Sequence, residues 1–380
     1  MQVTEYYEEF KRYFALASIQ QENCNLGTRK HEDLDINDDL MQNVQLYDVV
    51  ERKYAGFSQI INDIFYNTSE KHPYIRKINA NMASDERKFV ISQWSGKKLS
   101  LETWLYIFLL HRITGSAINY AKIPSGYHNT ILFSLNNCEN IEDIKQIIKN
   151  YDKPFYTSVG YQFPQFPKKP INSSYKRSGD YYLCEYADVL IYDLCDFIHK
   201  KRRDFREIGE FMFNWNKSHG FNAFRFQYAA FLADIADWFP EFINRGSLFY
   251  HGTNAVECIG YLAEKPKNVK KLDHLDNIMI KIYDDLGSLP YNAEDVCCDF
   301  IRWVENYIKP GINYDHLDRD SVWSSCTIKN HPKGRQKKMI DLGLINSFND
   351  INYHPSDYKI LENNNLTETE YKKLIRSSCN

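Results

Sequence analysis

Apolar residues along this chain recur mostly at spacings of three and four, the repeat of an amphipathic α-helix. This pattern predicts helices over residues 3–20, 46–66, 100–112, 141–150, 181–201, 222–239, 253–263, 272–286, 292–308 and 367–376. Strand patterns are few: Phe155–Val159 and Leu248–Tyr250 are short and isolated, and no series of βαβ units follows. We therefore predict a mainly α-helical fold with two helical lobes.

Polar and proline-rich stretches divide the helical segments. Residues 22–45, 152–180 and 309–335 lack helical periodicity and predict long loops. We expect an N-terminal helical region with an acidic loop over 1–98, a catalytic helical core over 99–345, and a C-terminal tail with a short helix over 346–380.

Composition narrows the class of protein. The chain is 43% hydrophobic and 15% aromatic, which is typical of a globular protein and not of a disordered one. A net charge of -3 argues against a histone-like or packaging protein. This charge is compatible with an enzyme that contacts DNA through a few local basic patches.

The cysteines and the N-terminus indicate the compartment. Nine cysteines are scattered without the C-x-x-C pairs of a zinc site. The N-terminal MQVTEYYEEFKRYF lacks the apolar core of a signal peptide, and no window is apolar enough to span a membrane. We expect reduced thiols and a soluble, cytoplasmic protein that does not engage a membrane.

The segment over 111–130, HRITGSAINYAKIPSGYHNT, combines small hydroxyl and glycine residues with an arginine. Such residues allow close approach of backbone to a phosphate, and the aromatic and imidazole rings can stack on a base. The candidate contacts to DNA are Arg112, Thr114, Ser116, Tyr127, His128 and Asn129. A helix C-terminus followed by a turn, with Arg112 paired at the surface, explains the segment equally well.

The segment over 222–240, NAFRFQYAAFLADIADWFP, predicts a helix with a core stripe and acidic residues beside it. The stripe comprises Phe224, Tyr228, Phe231, Leu232 and Ile235. Arg225 is a candidate phosphate contact, and Asp234 and Asp237 lie one turn apart. A partly buried carboxylate there can act as a general base, although structural salt bridges are the more common role of such residues.

The segment over 289–307, LPYNAEDVCCDFIRWVENY, predicts a helix that begins after an Asn292 cap. Glu294 and Asp295 suit its first turn. Asp295, Asp299, Arg302 and Asn306 share one face, opposite Val296, Phe300, Trp303 and Tyr307. Polar groups beside aromatic rings suit a base-binding pocket, whereas the simpler interpretation is an exposed face with an Asp299–Arg302 pair.

A basic loop follows over 326–343, CTIKNHPKGRQKKMIDLG. Its positive charges predict that the loop binds phosphates of a DNA backbone or of a pyrophosphate leaving group. The alternative is a solvent-exposed loop that binds no ligand. Its cationic candidates are Lys329, His331, Lys333, Arg335, Lys337 and Lys338.

One tripeptide indicates a different activity. His251-Gly252-Thr253 opens a predicted helix whose amides can hold an anion, and it is similar to the H-G-T element of ADP-ribosyltransferases. The β-rich framework of those NAD-dependent enzymes is not predicted. A plain helix start with Thr253 as its cap is the simpler interpretation.

Taken in order, several segments resemble the alpha-glutamyl/putrescinyl thymine pyrophosphorylase family, also called amino acid:DNA transferases, and most of all its third clade. The resemblance covers roughly residues 100–340. It rests on RITGSAINYA, GYHNT, FRFQYAAFLADIADWFP, YHGTNAVECIGYL, EDVCCDFIRWVENY and HPKGRQK. The acidic–x–x–Cys–acidic element from Glu294 to Asp299 is its most specific part.

The resemblance implies a helical relative of helix-hairpin-helix DNA glycosylases, encoded by bacteriophages or by cells. Family members act on 5-hydroxymethyluracil in DNA after a kinase has pyrophosphorylated it. They replace the pyrophosphate with the amine of an amino acid or polyamine. No cofactor is certain, and assistance by Mg²⁺ is left open.

The catalytic candidates under this interpretation are Asp299, Asp295, Glu294 and Asp234. The chain departs from a glycosylase-type hairpin, L-P-G-V-G, because Leu289–Ala293 keeps Leu-Pro but has no glycine. An ADP-ribosyltransferase and a non-catalytic glycosylase-like DNA-binding module are the two alternatives.

Overall fold

A computed structural model describes residues 2–23, 50–52, 61, 64, 94, 97–114, 131–151, 169–221 and 228–304. The described part is mainly α-helical, as predicted. Its α-helices are α1 Glu5–Asn23, α2 Leu101–Thr114, α3 Ile141–Asn150, α4 Ser178–Tyr182, α5 Asp188–His199, α6 Phe205–Ser218, α7 Ala229–Trp238, α8 Thr253–Leu262, α9 Lys271–Leu286 and α10 Pro290–Trp303.

Shorter elements complete this part of the chain. A 3-10 turn spans Ile131–Leu135, and the π-helical turn Leu183–Ala187 joins α4 to α5. Two strands of two residues each, β1 Arg203–Asp204 and β2 Ile243–Asn244, pair in parallel. Among the described residues, no helix has the length and apolar character needed to cross a lipid bilayer.

Helix boundaries follow from local hydrogen bonding. The predicted cap Ser100 is confirmed, because its hydroxyl accepts the Thr103 N–H at 3.2 Å. Asp204 and Glu207 form a reciprocal capping box at the start of α6. At the other end of a helix, Gly287 takes φ +68° and stops α9, a conformation that favours glycine.

The periodicity missed one helix and predicted one strand that the structure does not contain. Helix α6 was not predicted, because Gly209 and the polar Asn216 interrupt its apolar pattern; both are nevertheless buried. There Asn216 accepts a hydrogen bond from the Tyr182 hydroxyl at 3.0 Å. The predicted strand Leu248–Tyr250 has irregular backbone. The predicted strand Phe155–Val159 and the predicted helix 367–376 lie outside the described residues.

Buried apolar side chains form two clusters. The larger cluster draws on α2, α3, α5, α6 and α7, and the smaller cluster draws on α1, α8, α9 and α10. Helix α10 belongs to both clusters. Tyr291 in its first turn packs against Phe205 and Phe249 of the larger cluster, whereas Phe300 packs against Phe10 of α1. The first half of α10 therefore lies where the two clusters meet.

Candidate functional site

A buried arginine joins a distant part of the chain to the first half of α10. The Arg52 side chain is only 1% exposed. Its Nη1 donates to Glu294 Oε2 at 3.3 Å, and its Nη2 lies 3.5 Å from Asp295 Oδ1. Its backbone N–H donates to Asn292 Oδ1 at 3.1 Å. Together with the Arg112–Asp234 ion pair described below, these charged side chains are called the acidic cluster: Arg52, Glu294, Asp295, Arg112 and Asp234.

The prediction that Asn292 caps this helix was wrong. Helix α10 begins two residues earlier, at Pro290, with Leu289 as its N-cap. Proline suits the first helical position because it lacks the N–H that would stay unpaired there. This shift moves Glu294 and Asp295 out of the first turn. It also leaves the Asn292 side chain to accept the backbone N–H of Arg52.

Glu294 is enclosed by donors. Its Oε1 accepts the N–H of Gly252, the N-cap of α8, at 3.1 Å, and the Cys298 Sγ lies 3.5 Å away. Burial raises the pKa of Glu294 to about 7, and the charge of Asp295 adds to this rise; Arg52, Gly252 and Cys298 oppose it. The free amide expected at His251-Gly252-Thr253 thus binds a carboxylate of the chain itself.

Asp295 and Asp299 lie one turn apart on α10, and both are buried, at 8% and 5% exposure. The interpretation of this face as an exposed one was therefore wrong. Asp295 Oδ2 is fully enclosed and has no hydrogen-bond partner within the described parts of the chain. A buried acceptor without a donor costs about 1–3 kcal/mol, so this oxygen retains an unused capacity to accept a hydrogen bond.

Arg112 and Asp234 form a second buried ion pair, between α2 and α7. Arg112 Nε donates to Asp234 Oδ2 at 2.7 Å, and Nη2 donates to Oδ1. Burial raises the pKa of Asp234 above its ordinary value, although the charges of Arg112 and Arg52 lower it. Because the charge of Arg52 also lowers the pKa of Asp234, we group the two ion pairs under one name. Arg112 is paired in the interior and not at the surface.

Neighbouring candidates also have internal partners. The Thr114 hydroxyl donates to the Leu110 carbonyl at 2.7 Å within α2. Asp237 accepts the Tyr291 hydroxyl at 2.5 Å, and Arg245 donates to the same hydroxyl at 2.8 Å. The predicted core residues of α7 and the residue before it are all buried: Tyr228, Phe231, Leu232 and Ile235.

A histidine network borders the acidic cluster. His251 Nε2 lies 2.7 Å from Asp276 Oδ1, and Arg206 contacts both Asp276 oxygens. Burial lowers the pKa of His251 more than the contact with Asp276 raises it. Burial also raises the pKa of Asp276, but the hydrogen bonds from Arg206 and His251 outweigh it, so the net shift is downward.

Most predicted phosphate and base contacts lie outside the described residues. These are Ser116, Tyr127, His128, Asn129, Arg225, Lys329, His331, Lys333, Arg335 and Lys337. Their contacts with DNA and with phosphate stay predictions. Of the catalytic candidates, the structure brings Glu294 and Asp295 together around Arg52, and it pairs Asp234 with Arg112.

Several residues of this region were missed by the sequence reasoning. Arg52 lies in a predicted helix among other charged residues, so the sequence pattern did not distinguish it as a residue of the site. His251 was noted for its tripeptide alone, while Asp276 and Arg206 come from other segments. Only the folded chain brings these three side chains together.

The arrangement is suited to proton transfer and to binding a donor-bearing ligand. A carboxyl with a pKa near neutrality can both accept and release a proton, which is the property required of a general acid or base. No group of three or more potential metal ligands occurs among the described His, Cys, Asp and Glu residues. Comparisons of the chain with protein-family models, curated proteins and solved structures found no match.

The Arg112–Asp234 pair gives a stability prediction. The Arg112→Ala substitution leaves a buried carboxylate without its bidentate partner, so it should lower the free energy of unfolding by about 3–5 kcal/mol. The double variant Arg112→Met, Asp234→Leu should cost much less, because no charge stays buried there. Denaturant unfolding of both variants measures the difference.

The matched control is Arg12→Ala on α1, which removes a partly exposed pair with Glu9, 43% exposed at Arg12 and 25% at Glu9. Such a pair contributes about 0–1 kcal/mol. An Arg112→Ala variant no less stable than this control would contradict the structural importance of the buried pair.

Glu294 gives a prediction about pH. Its pKa rises from 4.5 to about 7 on folding, so the folded chain holds an extra proton between these values. The stability from this group is complete below pH 4.5 and is lost as pH rises to 7. Between pH 4.5 and pH 8, the Glu294→Gln variant should therefore gain up to about 3 kcal/mol relative to the wild type.

Unfolding measured at several pH values, with exposed Glu257→Gln as control, tests this expectation. The Glu257→Gln variant should follow the wild type throughout. A stability difference between Glu294→Gln and wild type that does not change with pH would show that Glu294 titrates alike in the folded and unfolded states.

Proposed function

We propose that this chain is a DNA thymine-hypermodification transferase. It displaces pyrophosphate from 5-(pyrophosphoryloxymethyl)uracil in DNA with the amine of an amino acid or polyamine. A C–N bond forms at the exocyclic carbon. The resemblance of residues 100–340 to amino acid:DNA transferases supplies the reaction class, and the acidic cluster supplies residues suited to it.

The observation that carries the proposal is the enclosed, unpartnered oxygen of Asp295 beside Glu294 and Arg52. A primary amine carries N–H donors, and Asp295 Oδ2 is a buried acceptor that no described residue fills. Arg52 keeps the Asp295 carboxylate from standing as an isolated buried charge. Asp295 is therefore proposed to hold the incoming amine.

Glu294 has a complementary role in this proposal. Its pKa of about 7 allows it to exchange protons with its surroundings at neutral pH. Because the Gly252 N–H, Arg52 and Cys298 occupy its oxygens, it sets the electrostatic environment of Asp295. Asp234 neutralises Arg112 between α2 and α7.

The DNA side of the reaction is proposed from the sequence. A target base inside a duplex must leave the stack to be modified, so the nucleotide would be flipped into the enzyme. The basic loop around Arg335 would stabilise the departing pyrophosphate, since it carries cations for the developing negative charge. A 5-hydroxymethyluracil DNA kinase would supply the substrate.

The experiment incubates the purified chain with duplex DNA that contains 5-(pyrophosphoryloxymethyl)uracil, together with glutamate or putrescine. Mass spectrometry of the digested nucleosides should show the corresponding amine adduct. The Asp295→Asn variant should transfer the amine about 10–100 times more slowly, because a hydrogen bond to a charged acceptor contributes about 1.5–3 kcal/mol. The control Asp273→Asn changes an exposed residue of α9 and should keep wild-type activity.

Equal melting temperatures of wild type and Asp295→Asn would exclude unfolding as the cause of the loss. Wild-type chain that binds the duplex with a steep salt dependence but yields no adduct with either amine would contradict the proposal. That outcome would indicate a non-catalytic DNA-binding module instead.

A further inference from the structure

The imidazole of His251 is held at one nitrogen and open at the other. Nε2 lies 2.7 Å from Asp276 Oδ1. Asp276 is itself fixed by Arg206, with Nη1 2.8 Å from Oδ2 and Nη2 2.6 Å from Oδ1. Arg206 is anchored in turn, because its Nη2 also donates to the Phe249 carbonyl at 2.8 Å. This chain of contacts fixes the orientation of the ring.

The shortest contact of the ring decides which nitrogen carries the proton, since Nε2 lies 2.7 Å from Asp276 Oδ1 and 3.4 Å from the Nη2 of Arg206. An ionised carboxylate only accepts hydrogen bonds, so the nitrogen that faces Asp276 must be the N–H donor. The Arg206 guanidinium and His251 lower the pKa of Asp276 and keep it ionised. Burial lowers the pKa of His251, which keeps its ring neutral. Nδ1 therefore carries a lone pair.

This lone pair is enclosed by protein. The His251 side chain is 5% exposed, and Nδ1 has no hydrogen-bond partner in the part of the chain that the structure describes. A neutral nitrogen base that is buried, oriented and unoccupied suits proton acceptance from a bound ligand. The pairing of an imidazole with an orienting carboxylate is a recurrent arrangement for this purpose.

The position of His251 connects it with the acidic cluster. The next residue, Gly252, donates its N–H to Glu294 Oε1 at 3.1 Å. Glu294 and Asp234 already have donors, as described above. Asp295 Oδ2, within the acidic cluster, and His251 Nδ1, on the residue before Gly252, are thus two buried acceptors that no described residue fills.

We propose that His251 Nδ1 accepts the proton released by the attacking amine, with Asp276 and Arg206 as its positioning residues. This step rests on the proposed function. The amine nitrogen uses its lone pair to form the C–N bond while the C–O bond to pyrophosphate breaks. The bonding pair leaves with the pyrophosphate oxygen, and one N–H proton passes to Nδ1. Nε2 keeps its own proton on Asp276.

The first test separates the base from its surroundings. In His251→Gln, the side-chain amide can still donate to Asp276 where Nε2–H stood, but no base replaces Nδ1. We expect kcat for amine transfer to fall about 10²–10⁴-fold at an unchanged melting temperature. The control His199→Gln changes a histidine at the end of α5 and should keep wild-type kcat.

The second test reads the tautomer directly. Nitrogen NMR of the wild-type chain labelled with ¹⁵N-histidine should show His251 as a neutral ring protonated at Nε2 at pH 7, with assignment by His251→Gln. In Asp276→Asn, the asparagine amide can donate to Nε2, so the proton should move to Nδ1 and transfer should slow. A change in stability alone would not move this proton.

The outcomes separate the inference from the proposed function. A wild-type chain that transfers no amine would contradict both the proposed function and the role of His251. Transfer by wild type at a rate matched by His251→Gln would overturn only the role of His251. A wild-type His251 that is protonated at Nδ1 at pH 7 would likewise overturn it, whatever the activity.

Discussion

The structure depends on how the buried guanidinium of Arg52 is neutralised. Removing a charge from water costs several kcal/mol unless oppositely charged groups and hydrogen bonds replace the solvent. Here Glu294 and Asp295 supply those groups from α10, and Asn292 binds the Arg52 backbone. Because all three partners lie within one helical turn of each other, residues 50–52 can dock on α10 in one register.

Burial and the neighbouring charges explain the raised pKa of Glu294. Arg52 contacts Glu294 and Asp295, and Arg112 pairs with Asp234; all of these side chains are buried, as is Asp299 one turn further along α10. Burial disfavours the ionised form of Glu294, and the charge of Asp295 adds to this effect, whereas Arg52 opposes it.

Sequence periodicity was sufficient to predict the helical class and most helices, because amphipathic spacing directly records the buried face. It failed at α6, where Gly209 and Asn216 break the pattern and tertiary contacts compensate. For the site, spacing identified the α10 carboxylates. It could not identify Arg52, nor the partners of His251, because those contacts join residues distant in sequence. The sequence also placed Arg112 at a phosphate, whereas the fold pairs it with Asp234.

The most direct test of this account is the titration of Glu294 itself. Carbon NMR of a chain labelled at the glutamate carboxyl carbon, with Glu294→Gln used for assignment, measures its pKa in the folded protein. The account predicts a value of about 7 in the wild type. In Arg52→Met it predicts a still higher value, since the neighbouring positive charge is gone. A wild-type Glu294 that titrates at the ordinary 4.5 would contradict the buried environment on which the proposed chemistry depends.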